Sequence, residues 1–332
     1  MKGFILAAGF GTRLWPLTED RTKPAIPFLN RPLITYSVEY LARFGIRELI
    51  VNLHHQPDSI RLALGDGSRF GVGIRYSFEE EILGTSGALD RMREALIDDD
   101  FVVVNGKIIT DIDLLKAIDA HRRRKAIATL VLRENTARER FSVVETDADG
   151  CIRRFAGMPE PLDASAAAES GSAPLMFTGI QVLSPRIFEY VPRNCFSHST
   201  NDVYPRAIAA GEAVYGHVAS GPWFEMSTLS RYFEASLAFM RQRGQSVVVG
   251  RDSVIEGGGL VENSVLWERV TVERGAEVRL AVLADDVRVP AGTTIERAVV
   301  VRRDRVREIE RGEVVGENLV VPFRARFGEK IA

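Results

Sequence analysis

Apolar residues are distributed along this chain in two rhythms. Up to about residue 240, short apolar runs alternate with amphipathic stretches, the pattern of a mostly parallel β-sheet covered by helices on both faces. The runs GFILAAG, ELIVNLHH, IRYSFEE, FVVVNG, ATLVLR and FTGIQVL are predicted as strands. Between them, Leu33 to Phe44 carries Leu33, Ile34, Val38, Leu41 and Ala42 at helical spacing, and a further helix is expected after Gly87. The stretch Pro159 to Pro174, PEPLDASAAAESGSAP, reads as an exposed loop inside the first domain rather than as a linker.

After Gln245 the helical period disappears and short valine-rich pieces take over. A shift of 17 residues lays this part of the sequence on itself: Val248, Val265, Val282 and Val299 coincide, as do Leu266, Leu283 and Val300. The same shift aligns Val270 with Val287, Ile255 with Val272 and Val289, Gly258 with Gly275 and Gly292, and Val278 with Ile295. A repeat this short suits one coil of a β-solenoid, which buries its inner face only by stacking on its neighbours. The expected organisation is an α/β domain over residues 1–243 and a solenoid of three or four coils over residues 247–321.

Composition narrows the partners. The chain has 332 residues, 45% hydrophobic and 27% charged, with a formal net charge of -2, as in an ordinary soluble protein with room for one large domain and a smaller one. Its densest basic run, Arg122-Arg123-Arg124-Lys125, reads as a solvated helix end, so no nucleic-acid partner is expected. No stretch approaches the roughly 20 apolar residues needed to cross a bilayer, and no membrane association is expected. The apolar run in MKGFILAAGF is too short for a signal peptide and breaks at Gly9-Phe10-Gly11, which predicts a cytoplasmic protein. Cys151 and Cys195 are expected as reduced thiols.

The candidate chemistry begins where the first strand ends, in LAAGFGTRLWPLTEDRTKPAIPF. Gly9 and Gly11 leave backbone amides bare enough to approach a phosphate, and the carboxyl end of a strand is where open α/β sheets bind ligands. The third glycine of a dinucleotide fingerprint would fall at Leu14, and no Gly-Lys-Ser/Thr follows, so neither a Rossmann cofactor loop nor an ATPase P-loop fits. Instead Arg13 and Lys23 flank the turn, two fixed cations suited to offsetting a triphosphate.

The run G-F-G-T-R-L-x-P-L-T followed by T-K-P resembles the signature of sugar-1-phosphate nucleotidyltransferases, which make nucleoside-diphosphate sugars. Leu83-Gly84-Thr85-Ser86-Gly87-Ala88, Asn105-Gly106 and Phe177-Thr178-Gly179-Ile180 extend the resemblance over nearly the whole chain. It implies a Rossmann-like, mostly parallel nucleotidyltransferase domain followed by a short left-handed parallel β-helix. It also implies in-line attack of a hexose-1-phosphate oxygen on the α-phosphorus of a nucleoside triphosphate, releasing pyrophosphate, with Mg²⁺ supplying charge compensation. Carried over by similarity, Ala8, Gly9, Gly11, Thr12, Arg13, Gly84, Thr85 and Asn105 would bind the nucleotide. Gly106, Thr178, Gly179 and Glu225 would face the sugar phosphate, and Arg13, Lys23 and Lys107 would act in catalysis. The three acids Glu79 to Glu81, close to the base pocket, read as solvated. The overall look leans toward mannose-1-phosphate and GTP.

The chain departs from the family pattern at three points. Lys107 stands after Asn105-Gly106 where the family usually has a metal-binding aspartate. Trp223-Phe224-Glu225-Met226-Ser227-Thr228 has glutamate for the second aspartate and serine for glycine, and Met158 stands where relatives often carry a lysine. An ammonium is no ligand for Mg²⁺ and repels it. Three readings stay open: the ammonium compensates phosphate charge, pairing with Glu225 when empty, while Mg²⁺ arrives only as the nucleotide complex; Asp111 or Asp113 takes over the metal, against a plainer role in starting a helix; or the site binds nucleotide or nucleotide sugar without turnover, as a regulatory paralogue.

Other arrangements fail on spacing. His54 and His55 are neighbours on a strand and point to opposite faces, so they do not share a metal. The run Ser197-His198-Ser199-Thr200-Asn201-Asp202 holds the letters of a hydrolase triad, yet sequence neighbours rarely form one, and it is expected to shape a sugar-side loop. Some β-helices serve acyltransferases that use a histidine base, but no histidine follows His217 here. The β-helix is therefore expected to pack and to assemble a homo-oligomer.

Overall fold

A computed structural model describes residues 1–136, 139, 141–158 and 173–323. The loop expected over 159–174 lies, apart from Ala173 and Pro174, outside the described residues. The chain forms two compact units, one of Met1–Ala8, Tyr36–His54 and Leu64–Trp223, the other of Gly9–Thr35, His55–Ala63 and Phe224–Ala332.

The first unit is built on a nine-stranded sheet. Its strands are β1 (Lys2–Leu6), β2 (Glu48–Leu53), β3 (Gly73–Phe78), β4 (Phe101–Asn105), β5 (Ala128–Glu134), β6 (Val143–Thr146), β7 (Ile152–Phe155), β8 (Leu175–Leu183) and β9 (Val214–Val218). They lie in the order β7-β6-β8-β4-β1-β2-β3, with β5 also paired to β8 and β9 to β5. The predicted runs all form strands, and the parallel set β3-β2-β1-β4 keeps one register, with Leu6 opposite Asn105 and Leu53 opposite Phe78. Phe101 to Val104 are wholly buried, which explains why this strand reads as a continuous apolar run rather than an alternation.

Strand β8 runs antiparallel to β4, with Ile180 opposite Val104, and antiparallel to β5 with a register shift between Phe177 and Gln181. That shift falls on Thr178-Gly179, an irregularity of the kind that re-aims a strand beside a site. Helix α1 (Leu33–Arg43) lies where predicted, with its named apolar residues all buried, whereas α2 (Gly84–Arg91) starts before Gly87 rather than after it; α3 (Leu114–Arg124) follows β4. The basic run closes α3, where the cations complement the helix dipole, and Asp113 caps its start by accepting from Leu115 N at 3.1 Å.

In the second unit, helix α4 (Leu229–Gln242) precedes a β-helix whose three faces are parallel ladders. Val248 pairs with Val265, Val265 with Val282 and Val282 with Val299; Ile255 pairs with Val272 and Val272 with Val289; Val261 pairs with Val278 and Val278 with Ile295. Every step is the 17-residue shift read from the sequence. The stack closes where Asn318–Pro322 folds back antiparallel on Ala298–Arg302, a cap the repeat pattern did not announce.

Candidate active site

The glycine loop is organised inside the second unit. Thr12 and Arg13 are exposed, while Leu14, Trp15 and Leu17 are buried and anchor the turn from below. The loop folds back on itself: Thr18 Oγ1 donates to Gly11 O at 3.3 Å and Thr22 Oγ1 donates to Gly9 O at 3.3 Å. Gly11 has φ +76, and a Cβ there would stand 2.9 Å from Lys23 Cβ and 3.0 Å from Thr18 Cγ2. Glycine is thus required at 11 by conformation and by the close approach of Lys23. The two cationic ends named from the sequence belong to one folded loop.

Two further clusters lie in the first unit. At the carboxyl end of β4, Asn105 packs on Gly179, where an added Cβ would stand 2.2 Å from Asn105 Nδ2; Gly179 has φ +83. Thr178 is buried and donates from Oγ1 to Val131 O at 2.8 Å, while its carbonyl accepts from Trp223 Nε1 at 2.9 Å. Gly106 N donates to Leu6 O at 3.0 Å, tying the turn that carries Lys107 to the end of β1. Lys107 itself is half-buried in that turn.

The other cluster surrounds Gly84-Thr85. Ser86 N and Gly87 N donate to Ser197 O at 3.0 and 3.3 Å, and Ser199 N donates to Thr85 Oγ1 at 2.8 Å. Thr85 N also faces His198 Nδ1 at 3.3 Å. The Ser197–Asp202 run, expected on the sugar side, is thereby seated on the turn expected to hold the base.

The sequence reading of Glu79 needs correction. Glu80 and Glu81 are exposed as expected, but Glu79 is only 1% exposed. Its Oε1 accepts from Asn52 Nδ2 at 2.8 Å and its Oε2 from Leu83 N at 2.9 Å, and Asn52 Oδ1 accepts from Ala7 N at 2.7 Å. Burial raises the carboxyl above its ordinary range against the lowering effect of these hydrogen bonds. One continuous relay thus joins the end of β1, beside Ala8, to the Leu83-Gly84 turn. The missed signal was the period of two, since Ser77 and Glu79 share the inward face of β3 and its extension. His54 and His55 have separate surroundings, His54 Nδ1 lying 2.9 Å from Glu79 O and His55 facing Phe10 with ring centroids 5.7 Å apart.

The oxygen donors considered for a metal are otherwise engaged. Glu225 Oε2 accepts from Arg231 Nη1 at 3.0 Å, a partner not named from the sequence, and Asp111, 66% exposed, accepts from Arg43 Nη1 at 2.8 Å. Each of these carboxylates thus has a guanidinium partner, and the ammonium of Lys107 is by its chemistry no ligand for a divalent ion. Among the described residues no group of three or more His, Cys, Asp or Glu is placed to hold one.

The chain is similar to known proteins along most of its length. The family profile described as nucleotidyl transferase matches residues 2–242, and one described as GlmU-like, C-terminal hexapeptide, matches residues 235–328. A UTP–glucose-1-phosphate uridylyltransferase of Synechocystis sp. is 30% identical over 290 residues, covering 82% of this chain and 72% of the relative. A mannose-1-phosphate guanylyltransferase of Mycobacterium tuberculosis is 29% identical over 306 residues, 88% of this chain and 82% of the relative. A solved Bacillus anthracis structure assigned as a glucose-1-phosphate thymidylyltransferase superposes with a TM-score of 0.60 at 22% identity, covering 73% of this chain and 95% of that one, which bears on the fold.

Proposed function

This chain belongs to the nucleotidyl transferase family, and we propose that it condenses GTP with mannose-1-phosphate to give the nucleoside-diphosphate sugar and pyrophosphate. The observation that carries nucleotidyl transfer is the folded loop in which Gly11 lies against Lys23 with Arg13 exposed beside it, while the choice of GTP and mannose-1-phosphate rests on the likeness to the mannose-1-phosphate guanylyltransferase. In the step itself, an oxygen of the sugar phosphate forms a bond to the α-phosphorus as the bond from that phosphorus to the bridging oxygen breaks. The electron pair leaves with pyrophosphate, and no covalent enzyme intermediate forms. Catalysis is then alignment and charge compensation. Gly9, Gly11 and Thr12 present amides to the triphosphate, Arg13 and Lys23 neutralise it, and Gly84 with Thr85 borders the base. Asn105, held against Gly179, belongs to the nucleotide side, and Gly106, Thr178 and Gly179 order the sugar-phosphate side.

Nucleotidyltransferases of this family generally use divalent metal ions. Here Lys107 supplies fixed positive charge, and Mg²⁺ enters only as part of the nucleotide complex. We assign this chemistry to residues 1–243 and assembly to 247–321, in the cytoplasm. Val249, Val254, Ile255 and Leu260 stay exposed on the first coil of the β-helix, which favours pairing with a second copy there.

The test is pyrophosphate release from each of four nucleoside triphosphates against glucose- and mannose-1-phosphate, with Mg²⁺ and with chelator. Turnover is expected with GTP and mannose-1-phosphate, with weak dependence on free Mg²⁺, and Lys107→Asp should make that dependence steep. Unchanged metal dependence in Lys107→Asp would sink the charge-replacement role. Silence in all pairs, with nucleotide-dependent thermal stabilisation retained, would favour a regulatory paralogue, the reading that Lys107 and the Arg231-bound Glu225 support.

A further inference from the structure

Within the second unit the segment from Trp15 to Asn30 is fastened to the β-helix at several places. Arg21 Nη2 donates to Asp285 Oδ2 at 2.7 Å, its Nε donates to Asp20 Oδ1 at 2.7 Å, and its guanidinium lies 5.1 Å from the Trp267 ring centroid. Asp285 Oδ1 accepts from Glu268 N at 3.0 Å, so the carboxylate is aimed by the backbone of the neighbouring coil. The Arg21 and Asp285 side chains are 18% and 10% exposed. Arg305 donates to Asp20 Oδ2 at 3.3 Å and also pairs with Asp286. On one side Arg311 Nη2 donates to Trp15 O at 3.3 Å, and on the other Asn30 Nδ2 donates to Leu266 O at 3.1 Å.

The next two residues after Arg21 are those that close the glycine loop. Thr22 Oγ1 reaches Gly9 O, and Lys23 lies against Gly11. An exposed ion pair contributes little, but Arg21 and Asp285 are largely withdrawn from water, and removing the Asp285 charge leaves Arg21 tied only to its sequence neighbour Asp20 and released from the β-helix coil. We infer that Asp285, a β-helix residue, is a positioning residue for the nucleotide loop: by holding Arg21 it sets Thr22 and Lys23 against Gly9 and Gly11. The inference rests on the reading of that loop as the triphosphate site. It makes the β-helix a template for the loop as well as an assembly module.

Asp285→Asn keeps the side chain's shape and its acceptor for Glu268 N while removing the charge that holds Arg21. The expected result is a fall of about ten- to a hundredfold in kcat/KM for the nucleoside triphosphate, with KM for the sugar phosphate changed by less than about threefold. In a Lys23→Ala background the same substitution should cost clearly less than it does alone, because part of what Asp285 does runs through Lys23. Full additivity of the two substitutions, or unimpaired kcat/KM in Asp285→Asn, overturns the inference. Arg302→Ala, which removes another β-helix ion pair, is the control for general loosening and should leave the kinetics in place. Should Asp285→Asn fail to fold, Arg21→Lys keeps the charge but loses the forked geometry and should show an intermediate loss of kcat/KM, and unimpaired kcat/KM in that variant would overturn the inference as well.

Absent turnover in the unsubstituted protein sinks the functional reading rather than this one, because amide exchange reads the coupling without chemistry. Exchange over residues 9–28 should speed up at least about tenfold in Asp285→Asn or, where that variant does not fold, in Arg21→Lys, and unchanged exchange there overturns the proposal.

Discussion

The β-helix and the sheet-borne site use opposite kinds of contact. In the β-helix, side chains meet partners one coil away: Arg269 pairs with Asp286, Arg251 with Glu268, and Val270 N donates to Ser253 Oγ at 2.9 Å, each 17 residues apart. In the first unit the decisive contacts have no period. Glu79 meets Asn52 across 27 residues, Ser199 meets Thr85 across 114, and Asn105 sits on Gly179. A repeated contact is one of several equivalents, whereas an aperiodic one has no substitute, so the two regions should respond very differently to single substitutions.

The largest effect is expected at Gly179→Ala. The new Cβ would displace the Asn105 amide and hold a left-handed backbone conformation that costs about 1–2 kcal/mol by itself. Turnover should fall at least about a hundredfold, because a small misplacement of a positioning group is enough for that. Steady-state kinetics beside denaturant unfolding would check both effects, and near-normal turnover would show that the Asn105–Gly179 packing is not what orders the site.

A smaller effect should follow Glu79→Gln. Glu79 accepts hydrogen bonds on both oxygens and glutamine can accept on only one, so one buried donor loses its partner at a cost of about 1–3 kcal/mol. The pH dependence has a definite sign. Burial holds the Glu79 carboxyl above its ordinary range, so its contribution to stability is fully present below the unfolded value of ~4.3 and is lost as pH rises through the raised folded value. The penalty of Glu79→Gln, followed by urea unfolding between pH ~4 and ~7, should therefore shrink as pH rises; a flat profile contradicts it.

The smallest effect belongs to Arg269→Ala. Its ladder partner Asp286 and its sequence neighbour Glu268 are partly exposed, and a surface pair contributes about 0–1 kcal/mol. A thermal midpoint lowered as much as in Gly179→Ala would break the contrast between repeated and unrepeated contacts.

The same contrast explains what was legible. The 17-residue register of the coils, the strand runs, α1 and the glycine loop could all be read from the order of residues, because each depends on neighbours in sequence or on a fixed repeat. Buried Glu79 was misread because three consecutive acids look solvated, and only the pairing of β2 with β3 brings Asn52 to it. The antiparallel cap at Asn318–Pro322, the seat of Ser197–Ser199 on the Gly84 turn, and Arg231 on Glu225 were not anticipated either.

By itself the sequence determined the α/β sheet and the β-helix, their periods, and the glycine loop with its two cations, since these follow from local conformation and repeated burial. Tertiary structure decided which distant side chains share a buried space. It put Asn52 against Glu79, Asn105 against Gly179 and Arg21 against Asp285, because a buried polar group takes whichever partner the fold brings within hydrogen-bond reach, at any distance along the chain.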